Sequence, residues 1–280
     1  LNLAVPQLMG VLNVTPDSCS DGGRYFSGDK PDIDKVLRRA EAMLEEGAAI
    51  IDIGGESTRP GAAPVALQQE LERVVTAVEA IAARLPAIIS VDTSNPEVMV
   101  EAHAAGAGMI NDVRALARPG AMQAAVKTDL PVCLMHMQGE PDTMQRKPAY
   151  DNVVEEIVNY LGTRIRSCIE SGLSQQKILV DPGFGFGKTL HHNLQLLNNL
   201  QAFKELGVPI LVGMSRKSMI GQLLGHETQE RLYGSIALAT LAVANGADIV
   251  RCHDVAATYD AVRIASAVVK EGGLIESKVK

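Results

Sequence analysis

The chain has 280 residues, 46% hydrophobic and 21% charged, with no tryptophan, five tyrosines and four phenylalanines, so its core must be built from Val, Ile, Leu, Ala and Met. Its net charge of −7 disfavours the broad cationic surface that nucleic-acid binding needs, and no apolar run approaches a membrane span. Cys19, Cys133, Cys168 and Cys252 form no C-x-x-C pair, which speaks against a zinc site or a disulfide framework and for a reducing cytoplasm.

Short apolar runs recur, each followed by a polar turn and a longer amphipathic stretch, the alternation of repeated βα units. The first predicted strand, residues 8–12, ends on Asn13, which opens the loop Asn-Val-Thr-Pro-Asp-Ser-Cys-Ser-Asp-Gly-Gly. The second, 49–53, contains Asp52 and leads into Gly-Gly-Glu-Ser-Thr-Arg-Pro-Gly, residues 54–61. Both loops are rich in Gly, Pro and short polar residues, suited to closing over a substrate. A helix over 64–84 places Leu67, Leu71, Val74, Val75, Val78 and Ile81 on one face. The third strand, 88–91, ends on Asp92, and Asn95-Pro96-Glu97 opens the next helix with Asn as cap and Pro in the first turn.

Asn111 and Asp112 end the fourth strand, 109–110, and His136 follows the fifth, 132–135. The sixth, 178–180, ends on Asp181 and enters Pro-Gly-Phe-Gly-Phe-Gly-Lys-Thr. That run lacks the first glycine of a P-loop and reads as a tight strand-to-helix turn. From the seventh strand, 210–212, the chain runs through Gly213 to Met-Ser-Arg-Lys-Ser, a helix start whose free N–H groups favour anions. The eighth, 248–251, ends on Arg251 and His253. Gly47, Gly106, Gly172, Gly207 and Gly246 each separate a helix from the next strand as C-cap signals, while His103, His191, His192 and His226 read as surface residues.

Eight βα units favour a single-domain α/β fold, a (β/α)8 TIM barrel, over an open doubly wound sheet. One Asp or Asn at a strand end ordinarily caps a helix or starts a turn. Here nearly every strand ends in a group that binds or ionises, and a closed barrel brings these ends to one mouth. Asp92, Asn111 and Asp181 suit the donor-rich edge of a flat nitrogen heterocycle. Lys217, Arg251, His253 and Arg59 suit phosphate or carboxylate. The implied ligand is a heterocycle with an anionic tail.

Together, NVTPDSCSDGG, IDIGGESTRPGA, SVDTSNPEV, AGMINDV, VDPGFGFGK, GMSRKS and VRCHDV, in this order from Met9 to Val255, resemble the dihydropteroate synthase family. The resemblance implies a pterin-binding barrel over residues 1–280: a transferase of folate biosynthesis, sulfonamide-sensitive and cytoplasmic. It would condense 6-hydroxymethyl-7,8-dihydropterin diphosphate with 4-aminobenzoate, giving 7,8-dihydropteroate and diphosphate. Carried over position by position, Asp92, Asn111 and Asp181 hold the pterin edge, Lys217 touches the ring, Arg251 stacks on it, and Asp52 supports the pocket. Asn13 would ligand magnesium, and Arg251 with His253 would bind diphosphate. Thr58, Arg59, Pro60, Phe186, Lys217 and Ser218 would form the aminobenzoate side, with Asp21 reaching in from the first loop. Asp21, Lys217, Arg251 and His253 are the implied catalytic residues.

The implied chemistry agrees with the residues. Diphosphate on a CH₂ attached to an electron-rich pterin can leave dissociatively, and a neutral arylamine needs no strong base. The family usually forms homodimers through helices opposite the active-site loops, which makes residues 236–244 a contributor. Cys19 stands where the family usually has Phe, a departure on the aminobenzoate side. Two alternatives stay open at this point: a catalytically silent pterin-binding relative, and a methyltetrahydrofolate-binding barrel serving a corrinoid methyltransferase.

Overall fold

Successive apolar runs pair as one parallel sheet: β1 (Gln7–Asn13), β2 (Ile50–Gly54), β3 (Ile88–Asp92), β4 (Met109–Asp112), β5 (Val132–Met135), β6 (Ile178–Asp181), β7 (Leu211–Val212) and β8 (Ile249–Cys252). The computed structural model of the protein describes residues 2–15, 26–27, 30–56, 65–141 and 143–278. Strand order is β6-β5-β4-β3-β2-β1-β8-β7, and a parallel bridge from Val180 to Ile210 joins the two outermost strands. The eight strands thus close into the expected barrel, with a helical crossover on the outside after nearly every strand, as parallel pairing demands.

The expected strands all form, with ends shifted by no more than two residues. The largest shift is at β4, where Asn111 and Asp112 continue the ladder instead of following it. Ile210 makes the bridge that closes the barrel and precedes β7.

Alternation along the strands sorts their side chains into two cores. Residues such as Leu8, Ile51, Ile89, Ile110, Leu134, Val180 and Val250 pack against the helices in the larger core. Met9, Ile50, Met109, Cys133, Leu179, Leu211 and Ile249 form a separate cluster inside the barrel, toward the amino ends of the strands. One step of the pleat further, the same inward face carries Asp52, Asn111, Asp181 and Arg251.

Outside lie α1 (Ile33–Glu45), α2 (Leu67–Ala82), α3 (Pro96–Ala104), α4 (Ala121–Thr128), α5 (Val153–Glu170), α6 (Leu190–Asn198), α7 (Ser218–Leu224), α8 (Leu232–Ala244) and α9 (Val255–Lys278). Asp32 and Asn152 cap α1 and α5 through side-chain bonds to Lys35 N and Glu155 N. The five predicted C-cap glycines all have left-handed φ. At Gly47 a Cβ would also lie 2.4 Å from the Tyr259 ring.

Two local expectations are corrected. Asn95 precedes α3, with Pro96 in the first turn, but makes no capping bond; its amide donates to the buried Glu70 carboxylate, a stronger acceptor. On α2 the buried face includes Glu70, Val74, Ala77, Val78 and Ile81, whereas Leu67 is exposed. Glu70 can occupy a core position because Thr93 Oγ1, at 2.6 Å, and Asn95 both donate to it. Among the described residues no helix is long and apolar enough to cross a membrane.

Candidate active site

Parallel pairing sets which strand ends are neighbours. Register places Asp92 beside Gly54 and Asn111, and Asp52 beside Val11 and Ser90. Arg251, three strands from β3 around the barrel, reaches across its mouth. Its Nε donates to Asp52 Oδ2 at 2.6 Å and its Nη2 to Asp92 Oδ2 at 3.0 Å. Asn111 Nδ2 donates to the same Asp52 oxygen at 3.1 Å. Two carboxylates, an amide and a guanidinium predicted from separate sequence segments therefore meet as one cluster. Asp52 is fully buried, and its Oδ1 has no hydrogen-bond partner among the described residues.

Burial and charge oppose each other here. Burial pushes the Asp92 carboxyl up to about 7 against the pull of Arg251, with Asp52 pushing the same way as burial. Burial works against the charge on Arg251, but Asp52 and Asp92 outweigh it and keep the guanidinium protonated. Burial also raises Asp181, opposed chiefly by Lys217. Asp181 Oδ1 accepts from Gly183 N at 2.7 Å, so this carboxylate turns its own loop.

Lys217 stands at the N-cap position of α7, and Ser218 is the exposed first residue of that helix. The Lys217 ammonium donates to the Phe184 carbonyl at 2.5 Å and lies 4.6 Å from the centroid of the half-buried Phe186 ring. Burial depresses Lys217 to about 8, with Asp181 opposing. Arg216, just before it, has a φ of +59°, a strained conformation for a side-chain-bearing residue. Its backbone N–H donates to Ser235 Oγ at 2.9 Å, and its guanidinium grips both Asp254 oxygens. Ser215 Oγ lies 3.0 Å from His253 Nδ1 and accepts from His253 N at 3.2 Å. These bonds tie the turn after β7 to the turn after β8.

Asn13 ends β1, half-buried, with its Oδ1 3.2 Å from where a Cβ on Gly54 would sit, so a glycine there keeps the amide oxygen uncrowded. One hard oxygen donor of this kind fits magnesium, which usually keeps waters and substrate phosphate oxygens as its other ligands. Among the described residues no group of three or more His, Cys, Asp or Glu could hold a metal ion. Asp21, Thr58, Arg59 and Pro60 lie outside the described residues, as does Cys19.

Two strand-end residues read as part of the ring have other work. Asp112 is buried and accepts from Ser94 Oγ, Arg114 N and Leu116 N, holding the left-handed turn through Ala115 and Leu116. His136 is buried with its Nδ1 3.0 Å from Lys188 Nζ, and its ring lies edge-on to Tyr160. Burial, with Lys188 adding to it, lowers His136 to about 3, so the ring is neutral near pH 7. Sequence reasoning missed Lys188 and Glu70, charged types that normally face solvent. His192 is half-buried and forms a capping box with Thr189, and His226 Nδ1 is buried without a partner among the described residues; His103 and His191 are exposed as expected.

The pterin binding enzyme family matches residues 9–253 of this chain. Dihydropteroate synthase of Escherichia coli strain K12 is 53% identical over 95% of this chain and 93% of its own length. The Yersinia pestis dihydropteroate synthase solved with a sulfonamide drug superposes with a TM-score of 0.92 at 52% identity, covering 96% of both chains. The Xanthomonas albilineans enzyme solved with 4-aminobenzoic acid gives a TM-score of 0.88 at 47% identity, covering 96% of this chain and 94% of that one. With a family match across the whole barrel and about half of all residues shared end to end, the chain belongs to the dihydropteroate synthases, transferases of folate biosynthesis within the pterin binding enzymes.

Proposed function

We propose a division of labour for the condensation of 6-hydroxymethyl-7,8-dihydropterin diphosphate with 4-aminobenzoate at this mouth. The observation that carries it is the Arg251 clamp on Asp52 and Asp92, with Asn111 sharing the Asp52 oxygen. Asp92, Asn111 and Asp181 take the amino and N–H edge of the pterin, and the unpartnered Oδ1 of Asp52 supports them. Arg251 stacks on the ring, and Lys217 touches it from the side of Phe186. Phe186, Lys217 and Ser218 line the aminobenzoate side, where Thr58, Arg59 and Pro60 complete the wall and Asp21 reaches in.

In the reaction the bond from the exocyclic CH₂ to the diphosphate oxygen breaks, both electrons leaving with the diphosphate. The pterin ring spreads the positive charge, the amine lone pair forms the new C–N bond, and the amine proton passes to solvent. Arg251 and His253 meet the negative charge that develops on the leaving group. Magnesium bound at Asn13 would neutralise part of that same charge.

The reading extends to the whole molecule. Residues 1–280 act as one pterin-binding domain in the cytoplasm, on small molecules rather than nucleic acid or membrane. Two copies pair through α8 and α9, where Tyr233, Leu241, Ile264 and Val268 are exposed apolar side chains. Within residues 236–244, Leu238, Ala239, Ala242 and Val243 pack into this chain's own core, which leaves Leu241 for a partner. Sedimentation of wild type and Leu241→Glu tests the pairing, and a wild-type monomer rejects it. Incubation with both substrates, with and without magnesium, tests the reaction. Dihydropteroate and diphosphate should form in equal amounts and faster with the metal; no dihydropteroate with both substrates and magnesium present rejects the reading, and equal rates reject the metal's part.

A further inference from the structure

Lys188 is a buried lysine, 3% exposed, held by burial well below the usual lysine range, and its hydrogen bonds among the described residues include none to a carboxylate. Its Nζ bonds to the Phe186 carbonyl at 2.9 Å, His136 Nδ1 at 3.0 Å and the His136 carbonyl at 3.4 Å. Burying a lysine amine is costly even with the Asp181 charge nearby, so one whose hydrogen bonds among the described residues go to neutral acceptors calls for an account of what it supplies. The loop between β6 and α6 supplies the reason. Gly183, Gly185 and Gly187 all have left-handed φ, and the loop presses so closely on the segment after β5 that a Cβ at Gly183 would lie 1.9 Å from the His136 carbonyl oxygen. Carbonyls turned inward by such a loop are at least partly cut off from water and are held by an internal donor.

We propose that Lys188, together with His136, is a positioning residue for the aminobenzoate side of the site: it pins the Phe186 carbonyl and so fixes the loop on which Lys217 rests. Both supports of Lys217 belong to this loop, the Phe184 carbonyl that accepts from its ammonium and the Phe186 ring beneath it. Other bonds anchor the neighbours of Phe186, with Gly185 N donating to Asn193 Oδ1 and Tyr150 Oη donating to the Gly187 carbonyl. The Phe186 carbonyl is left to Lys188. Asp52, Asp92 and Asn111 are held by Arg251 and by one another, away from this loop. Asp181 and Lys217 join this loop to the pterin side, but Asp181 is fixed by β6 and by Gly183 N, so disturbing Lys188 should act mainly on aminobenzoate and only weakly on the pterin.

The inference rests on Phe186 and Lys217 facing aminobenzoate, and Phe186→Ala tests that footing separately. Lys188→Met fills the slot without donors. It should raise the KM for 4-aminobenzoate roughly tenfold or more while kcat and the KM for dihydropterin diphosphate stay within about threefold. His136→Leu should show the same split in smaller measure, and His136→Asn, which keeps an acceptor, less than Leu. An unchanged aminobenzoate KM in Lys188→Met, or equal rises in both KM values, overturns the proposal. If Lys188→Met does not fold, the two His136 variants decide: no split, or Asn as damaging as Leu, overturns it equally. If Phe186→Ala leaves the aminobenzoate KM unchanged, the site reading is at fault; if it raises that KM and Lys188→Met does not, only the role of Lys188 fails.

Discussion

Two layers of the barrel interior, one pleat apart on the same strands, are built on opposite principles. The lower layer holds Ile50, Met109, Leu179 and Ile249, and the upper holds Asp52, Asn111, Asp181 and Arg251, with Asp92 beside Asn111 at the end of β3. Hydrophobic side chains in the lower layer need only fill volume, because they have no polar atoms to satisfy. A charge in the upper layer, taken from water, needs a partner of the right sign at the right distance, and Arg251 supplies one to both Asp52 and Asp92. The contrast shows how one rigid sheet serves both purposes. Its lower half sets the spacing of the strands, and its upper half uses that spacing to hold charges close together without water.

The sharpest way to break this comparison is Arg251→Met. It leaves two carboxylates in the upper layer without their shared cation, and should cost about 3–5 kcal/mol of stability near pH 8 by calorimetric melting. Turnover of the pterin substrate should go with it. A loss no larger than that of a lower-layer substitution would show that the upper layer is not held by charge.

Asp92→Asn tests the same layer through pH. Burial raises this carboxyl from 3.8 to about 7, so between those values the folded chain keeps a proton that the unfolded chain has released. Wild-type stability should accordingly fall as pH rises from about 4 to about 7, and the substitution, which cannot ionise, should reduce that slope. Pterin binding moves the other way, because the ionised carboxylate is the better acceptor. At pH 8 the variant should lose about 1.5–3 kcal/mol of pterin affinity, and at pH 5.5 much less. Titration calorimetry at the two pH values checks both statements, and equal losses would place Asp92 outside the pterin contact.

Lys217, depressed to about 8 by burial, predicts a basic limb on kcat/KM for aminobenzoate. One pH unit above its pKa the lysine has lost most of its charge, so the rate should fall roughly tenfold by pH 9. Lys217→Arg keeps its charge and should remove the limb while lowering the plateau. A limb that persists in the variant belongs to another group.

The smallest effect is expected in the lower layer. Met109→Leu conserves volume and character, should cost less than about 1.5 kcal/mol, and should leave both KM values unchanged. A changed KM would mean that the two layers are mechanically coupled.

The eight-unit pattern, the strand ends and the polar residues standing there were legible along the chain, because alternation of apolar and polar residues is a local property of each strand. So was the turn after β6, whose glycines lie at left-handed φ. Asp112 and His136 could not be told from Asp92 and Asp181 in the same way. All four stand at or just after strand ends, and only packing shows that Asp112 turns to Ser94 and backbone N–H groups while His136 turns to Lys188.

The sequence by itself determined the fold class and the set of side chains offered at the mouth, since period-2 strands, glycine-marked helix ends and strand-end carboxylates are written in neighbouring residues. Only the tertiary structure decided which of them share a partner. Arg251 lies 199 positions from Asp52 and 159 from Asp92, and barrel closure is what brings the three within hydrogen-bond reach. Burial of Lys188 and Glu70 was decided there too. A charged side chain can leave water only where donors or acceptors from other segments replace it, and those segments are distant in the chain.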